Sequence, residues 1–281
     1  MRIKIWGSRG SLATPGRDTL RYGGNTPCVE VRLADGTLLI LDAGTGIRRL
    51  GLDLDGDAAG PIHLLLTHLH LDHLEGLPFF LPLWNRKTEI HVWGPSSSVK
   101  SLEERIARYF SPPLFPVELA EAPAQTHYHD VPRDGWEIGS ARLYAEAVAH
   151  PGPTVGYRIE EGDSSLAYIP DHEPALACDL DHASPEWISG LAVAERADVL
   201  LHDSQFFEDE YESRVGWGHS SVAHTVAFAR ASRAEQLVLF HHDPLHVDDE
   251  LEVLRARAAE LWGQNGRGPE LAHEGMEIAL G

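Results

Sequence analysis

Three histidines and an aspartate fall within six residues, His68, His70, Asp72 and His73, directly after the apolar run Ile62 to Leu66. Imidazole nitrogens beside a carboxylate are ligands for zinc, manganese or iron rather than for calcium or magnesium alone. Four ligands on so short a stretch do not readily surround one ion, because adjacent Asp72 and His73 point away from the direction shared by His68 and His70. Two ions a few ångströms apart suit the spacing better, and such pairs clamp both the attacking and the leaving oxygen of a displacement.

The chain must supply elements that hold this loop and complete it. Ile62 to Leu66 reads as a buried strand, so the ligands sit at its C-terminal end, where sites gather in layered α/β folds. Other apolar runs end in the same way. Leu38 to Leu41 runs into Asp42 and glycines, a carboxylate suited to the site or to the layer behind it, with a helix cap as the alternative. Leu166 to Ile169 ends in Pro170-Asp171-His172, Val199 to Leu201 in His202-Asp203-Ser204, and Gln236 to Phe240 in His241-His242. His150 stands in Ala-His-Pro-Gly between two strands. Gly218-His219-Ser220-Ser221 caps a helix from about Val222 to Ala231. His63, His91, His127, His129, His182, His224, His246 and His273 read as surface or satisfied core residues.

Helices are expected over Pro78 to Trp84, Val99 to Tyr109, Pro185 to Arg196 and Asp248 to Trp262, the last closing the chain before a polar tail. Gly7-Ser8-Arg9-Gly10-Ser11 is a small-residue loop able to hold an anion through backbone N–H groups and Arg9, or a plain turn. Ser111 to Pro116 breaks regularity and carries aromatics, as a lid, an interface or a spacer. A strand-rich half followed by strands alternating with helices fits two sheets packed face to face with helices outside each. The expectation is a four-layer αββα sandwich of α/β (α+β) class, one domain over residues 1–281.

The composition of this 281-residue chain, 43% hydrophobic and 23% charged, is that of a soluble globular protein. Its formal charge of −20 argues against a surface built to grip nucleic acid, although Arg2, Lys4, Arg9, Arg17 and Arg21 are a candidate local basic patch. Two cysteines, Cys28 and Cys178, make a disulfide framework unlikely in design and exclude a four-cysteine zinc site. With no charged-then-apolar leader and no bilayer-length apolar run, the expected location is the cytoplasm, without membrane contact.

Thr67-His68-Leu69-His70-Leu71-Asp72-His73 resembles the metal motif of the metallo-β-lactamase fold superfamily. His150, Asp171 and His241 are similar to its later motifs, in order, so the resemblance extends from Asp42 to His241. It implies a first ion on His68, His70 and His150, and a second on Asp72, His73 and His241, with Asp171 between them. Only its place at the end of the apolar run favours His241 over His242. The ions expected are zinc, with manganese or iron as alternatives, and a bridging hydroxide would be the nucleophile. Asp171 in place of cysteine is unlike the cysteine-containing zinc β-lactamases, and His70 is unlike the flavodiiron oxidoreductases, which carry glutamate there.

Leu201-His202-Asp203-Ser204 with Gly218-His219-Ser220-Ser221 resembles the paired motifs of ribonuclease Z and related cyclic phosphodiesterases, although ribonuclease Z carries glutamate at the position of Asp203. Phosphodiester cleavage must protonate or stabilise a departing alkoxide, and a histidine at a helix N-terminus near the phosphate can do so. His219 is therefore the expected general acid and Asp203 its support, with Asp72 counted both as ligand and as catalytic group. Helix or turn capping is the plainer alternative for His219 and Asp203. Arg9 and Asn25 are candidate substrate contacts. The function expected is a dinuclear metal-dependent phosphodiesterase acting on small or cyclic phosphodiesters. The rivals are hydrolysis of a thioester, lactone or β-lactam, and RNA processing of the ribonuclease Z type. The long Gly- and basic-rich insertion with which ribonuclease Z grips transfer RNA has no counterpart here. Phe79, Phe80 and the Phe110–Phe115 segment are candidates for a homodimer interface.

Overall fold

The computed structural model describes residues 1–54, 60–176, 180, 182–263 and 267–281. Cys28 is a buried free thiol; Cys178 lies outside the described residues.

Among the described residues fourteen strands form two sheets of seven. The first contains β1 (Arg2–Gly7), β2 (Cys28–Arg32), β3 (Leu38–Leu41), β4 (Ile62–Leu65), β5 (Glu89–Gly94) and β6 (Gln125–Asp130). The second contains β7 (Trp136–Ile138), β8 (Ala141–Ala147), β9 (Val155–Glu161), β10 (Ser164–Ile169), β11 (Val199–Asp203), β12 (Gln236–Phe240) and β13 (Glu270–Leu271). A last strand, β14 (Glu277–Ala279), returns to the first sheet beside β1, giving the orders β14-β1-β2-β3-β4-β5-β6 and β13-β12-β11-β10-β9-β8-β7.

Successive side chains of a strand face opposite sides, and in central strands such as β3, β10, β11 and β12 both sides are apolar. Ile3, Ile5, Leu41, Leu65, Tyr157, Leu201 and Phe240 form one buried cluster between the sheets. Ile62, Leu64, Ile90 and Val92 face outward and pack with Ile47 and Leu50 of α1 (Gly46–Asp53) and Leu102 and Ile106 of α2 (Leu102–Ala107). The outer face of the second sheet, with Ile169, Leu200 and Leu239, is covered by α3 (Leu191–Ala194), by α5 (Val222–Ser232) and by α6 (Asp248–Trp262); the short α4 (Glu208–Tyr211) lies before α5. This is the αββα sandwich. Among the described residues no helix is long and apolar enough to cross a membrane.

Several expectations fail for local reasons. Pro78 to Trp84 is not one helix but two short 3-10 turns, Leu77–Phe79 and Leu81–Trp84, each with proline in its first positions. Pro185 to Arg196 breaks into a 3-10 turn and α3, separated by Gly190 at φ 70°. The polar tail is not a tail: Leu271, Ala272, Met276 and Ile278 are buried, and β13 and β14 cover an edge of each sheet. Phe80 and Phe110 are fully buried core residues and are not available to an interface, whereas Phe79 is exposed and meets Phe115 edge-on.

Strands β3, β4 and β5 are parallel, as are β10, β11 and β12. Their C-terminal ends meet across the sandwich: Asp42 after β3 accepts from the Thr67 amide after β4 at 2.8 Å and from the Tyr168 hydroxyl of β10 at 2.9 Å.

Candidate metal centre

Four strand ends or loops deliver donors to one place, those after β4, β8, β10 and β12. His68, His70, His150 and Asp171 bring ligand atoms within 4.8 Å of one another, as do Asp72, His73 and His241. Asp171 faces both groups. Its Oδ2 lies 3.7 Å from His68 Nε2 and 3.7 Å from His150 Nε2, while its Oδ1 lies 3.0 Å from His73 Nε2 and 3.3 Å from His241 Nε2. His70 Nδ1 stands 3.1 Å from His150 Nε2, and Asp72 Oδ2 stands 3.3 Å from both His73 Nε2 and His241 Nε2.

The inward nitrogens are fixed by what the outward ones touch. His73 Nδ1 meets Asp42 Oδ2 at 2.9 Å, His241 Nδ1 meets Gln205 Oε1 at 2.9 Å, and His150 Nδ1 meets the Gly218 carbonyl at 2.8 Å. Each acceptor holds a proton on Nδ1, so that Nε2 is the nitrogen turned to the cluster, the one a metal ion would take. At His73 burial is outweighed by the neighbouring carboxylates Asp171, Asp72 and Asp42, which favour the protonated ring when no ion is bound. The Thr67 hydroxyl bonds Asp42 and lies 3.1 Å from His68 Nδ1. Asp42 thus serves behind the site, through Thr67, His73 and Tyr168. It adopts φ 60°, as does His241 at the end of β12, a left-handed backbone that costs about 1–3 kcal/mol in residues other than glycine. Two glycines leave room for the rings: a Cβ at Gly10 would stand 2.3 Å from His241, and one at Gly218 2.4 Å from His150.

His219 sits between the groups. Its ring stacks on His241 with centroids 4.9 Å apart and meets His150 at 5.1 Å. Its Nδ1 lies 2.7 Å from Asp203 Oδ2. Asp203 is fully buried and also accepts from the amides of His172, Gln205 and Ser220. The capping role at α5 belongs to Ser221, whose hydroxyl accepts from the His224 amide. Glu173, which sequence reasoning missed, is fully buried and accepts from the amides of Gly216 and Gly218 and from the Tyr211 hydroxyl, clamping the loop that carries His219. Gln205 was missed too; nothing in its neighbourhood of sequence marks an amide that orients a histidine at the end of the next strand.

Other expectations are corrected. Arg9 is not positioned as a substrate contact: it is fully buried, donates to the carbonyls of Gly23, Asp243 and His246, and faces Asp248 at 3.6 Å. The amide of Asn25 is bound to Glu274. The Gly7–Ser11 loop holds no open anion cradle, because its N–H groups go to Asn25, to His242 and, from Ser11, to Asp72 Oδ2 at 2.8 Å. In the supposed basic patch, Lys4 pairs with Glu277 and Arg21 with Asp249 and Glu252. His242 turns away from the cluster to the Ala272 carbonyl, and burial pushes its pKa down to about 3.

The electrostatics fit a cation. Burial alone would raise the carboxyls of Asp72 and Asp171, yet His73 and His241 hold both well below the usual range. Burial keeps His68, His70 and His150 neutral. His68 Nε2 is buried with no hydrogen-bond partner, an orphaned lone pair that a metal ion would satisfy. The donor set of imidazoles and carboxylates suits a divalent transition metal. At His219, burial lowers the pKa but the Asp203 carboxylate outweighs it, raising it to about 9.

The sequence model of the beta-lactamase superfamily domain matches residues 37–242. The chain belongs to this superfamily. It is a metal-binding hydrolase of metallo-β-lactamase fold. A ribonuclease Z of Myxococcus xanthus is 27% identical over 88% of this chain and 90% of its own length. The metallo-β-lactamase fold protein YhfI of Bacillus subtilis superposes with a TM-score of 0.72 at 17% identity, covering 99% of each chain. A diphosphatase of the PhnP family gives 0.70 at 18%, over 100% of this chain and 98% of its own.

Beside the metallo-β-lactamase centre lies a cavity of about 510 Å³, lined by His68, His70, Leu74, Arg108, Tyr109 and Leu114 among others. The Ser111–Pro116 segment forms one wall of it through Leu114, with Phe115 packed on Phe110.

Proposed function

We propose that the protein is a dinuclear metal-dependent phosphodiesterase acting on small or cyclic phosphodiesters. His68, His70 and His150 would hold one ion, Asp72, His73 and His241 the other, with Asp171 shared. When bound, zinc or a similar divalent pair supplies an activated water near neutral pH and polarises the phosphoryl oxygens.

The observation that carries the reading is His219. A histidine whose Nδ1 is held by buried Asp203, standing against both ligand groups, is placed to deliver a proton to a departing alkoxide at its Nε2. Acyl transfer from a β-lactam or thioester has less need of such a donor. Asp203 fixes the ring and favours its protonated form; Glu173 holds the loop that presents it. The cavity is of ligand size and offers apolar walls for an ester group, with Arg108 exposed on its rim.

RNA processing is the second reading, favoured by the relatives named ribonuclease Z. The formal charge of −20 weighs against it, since phosphate contacts supply most nucleic-acid affinity. The test is to load the protein with zinc or manganese and compare an activated phosphodiester, a cyclic nucleotide, a structured RNA, a thioester and a β-lactam. Fastest turnover of a small phosphodiester is expected. Faster cleavage of the RNA, with affinity falling steeply in salt, would replace this reading with the second; preference for an acyl substrate would end both.

A further inference from the structure

A second group of histidines stands on the bodies of β4, β5 and β6. In the parallel register His63 lies beside His91 and His91 beside His127. Their rings stack in a row, with centroids 5.0 Å apart for His63 and His91 and 4.9 Å for His91 and His127. His129 stacks on His91 at 5.2 Å and on Trp93 at 4.2 Å. Glu89 precedes His91 by two residues and so shares its face of the sheet.

We propose that Glu89, His91 and His127 form a separate site for one divalent transition-metal ion at the β6 edge of the first sheet. Glu89 Oε1 lies 3.1 Å from His91 Nε2 and 3.6 Å from His127 Nε2, and the three ligand atoms lie within 4.8 Å of one another. Bonds of about 2.0–2.1 Å in a tetrahedral zinc site put ligand atoms about 3.3 Å apart, so little movement is required. His91 Nδ1 lies 3.0 Å from His129 Nε2, a contact that can hold the proton on Nδ1 and leave Nε2 for the metal. His63 accepts from the Trp93 indole at 3.4 Å and backs the row.

Two nitrogens and one carboxylate oxygen suit zinc, cobalt, nickel or copper rather than magnesium or calcium. Glu89 and His127 are 44% and 50% exposed, so the site opens to solvent and a water completes the coordination. The ion would join β5 to β6, which ends the sheet with β5 as its one neighbour. Such a cross-strand tie protects an edge strand.

Protein already loaded at its catalytic centre, dialysed against zinc chloride and assayed for metal, tests this. The wild type is expected to bind one equivalent per chain more than either His127→Ala or Glu89→Gln, with phosphodiester hydrolysis unchanged by both substitutions. His129→Phe should keep the site but weaken zinc binding by roughly 10–100-fold. Added zinc should raise the melting temperature of the wild type and not that of His127→Ala. Equal metal content in the wild type and both ligand variants overturns the proposal. So does an extra equivalent that survives both substitutions, which would mark an adventitious ion elsewhere. Because the readout is a difference between variants with intact catalytic centres, it stands or falls independently of the substrate assigned above.

Discussion

The two histidine clusters differ in what stands behind the rings. At the catalytic edge, oxygen atoms set the protons: Asp42 for His73, Gln205 for His241, the Gly218 carbonyl for His150. On β5 and β6 the rings lean on one another, His91 on His129, and His127 is half exposed. A carboxylate or carbonyl oxygen can only accept, so it dictates a tautomer; a second imidazole can accept or donate, so it leaves the tautomer free to exchange. The first arrangement prepays the ordering of its ligands, most of them buried, with His70 reaching the surface. The second must order them when an ion arrives, and has one carboxylate where the first has Asp72 and Asp171.

The largest test of that contrast is Asp171→Asn. It removes the one carboxylate that faces both ligand groups, and activity is expected to fall to background with loss of both metals after gel filtration. Retention of two equivalents would break the shared-ligand assignment. Next comes His219→Ala, expected to slow cleavage of a poor leaving group by about 10²–10⁴-fold and that of an activated aryl ester much less. Metal content should stay at the wild-type value. Equal losses on both substrates would remove the proton-donor role and leave His219 as packing against His241.

The motif His68 to His73 was readable because several ligand types crowd one strand end, and the apolar runs before Asp171, Asp203 and His241 carried the same signal to the other sheet. The layers were readable for a related reason: strands apolar on both faces demand cover on both sides. What stayed hidden depends on distance in sequence. Gln205 meets His241 and Glu173 meets Gly218 only after the second sheet has assembled. Arg9 looked like an anion ligand because charge next to glycine and serine is ambiguous; burial against the carbonyls of Asp243 and His246 decides it, and those lie more than two hundred residues away. The edge strands β13 and β14 are too short to show periodicity, and the histidine ladder exists only through parallel register.

Two smaller effects probe the oxygen acceptors themselves. Asp42→Asn keeps the shape but loses the charge beside His73, Thr67 and Tyr168, and should weaken metal binding by roughly 10–100-fold. Gln205→Ala touches one ligand only and should cost about tenfold at the low end of that range. Competition with a chromogenic chelator measures both. If Gln205→Ala loses more than Asp42→Asn, orientation of His241 matters more than the buried charge, and the contrast drawn between the clusters needs a different cause.

The smallest expected effect on turnover falls at His202, which is buried like the ligands but faces no ligand group. Its Nε2 lies 3.0 Å from His172 Nδ1 and its Nδ1 2.8 Å from the Asp203 carbonyl. Burial pushes its pKa down to about 4, the nearby Asp203 charge offsetting only part of this. An unfolded histidine titrates near 6.5, so between those two values the unfolded chain binds a proton that the folded chain refuses. Stability present above pH 6.5 is therefore lost as pH falls toward 4, by up to about 3 kcal/mol from this group. His202→Asn should leave turnover at pH 7.5 within about threefold of wild type, a range typical of a site without chemical contact. It should also flatten the fall of melting temperature between pH 6.5 and 4.5. An unchanged slope would mean that His202 accepts a proton without cost, and that burial alone does not separate the ligand histidines from the rest.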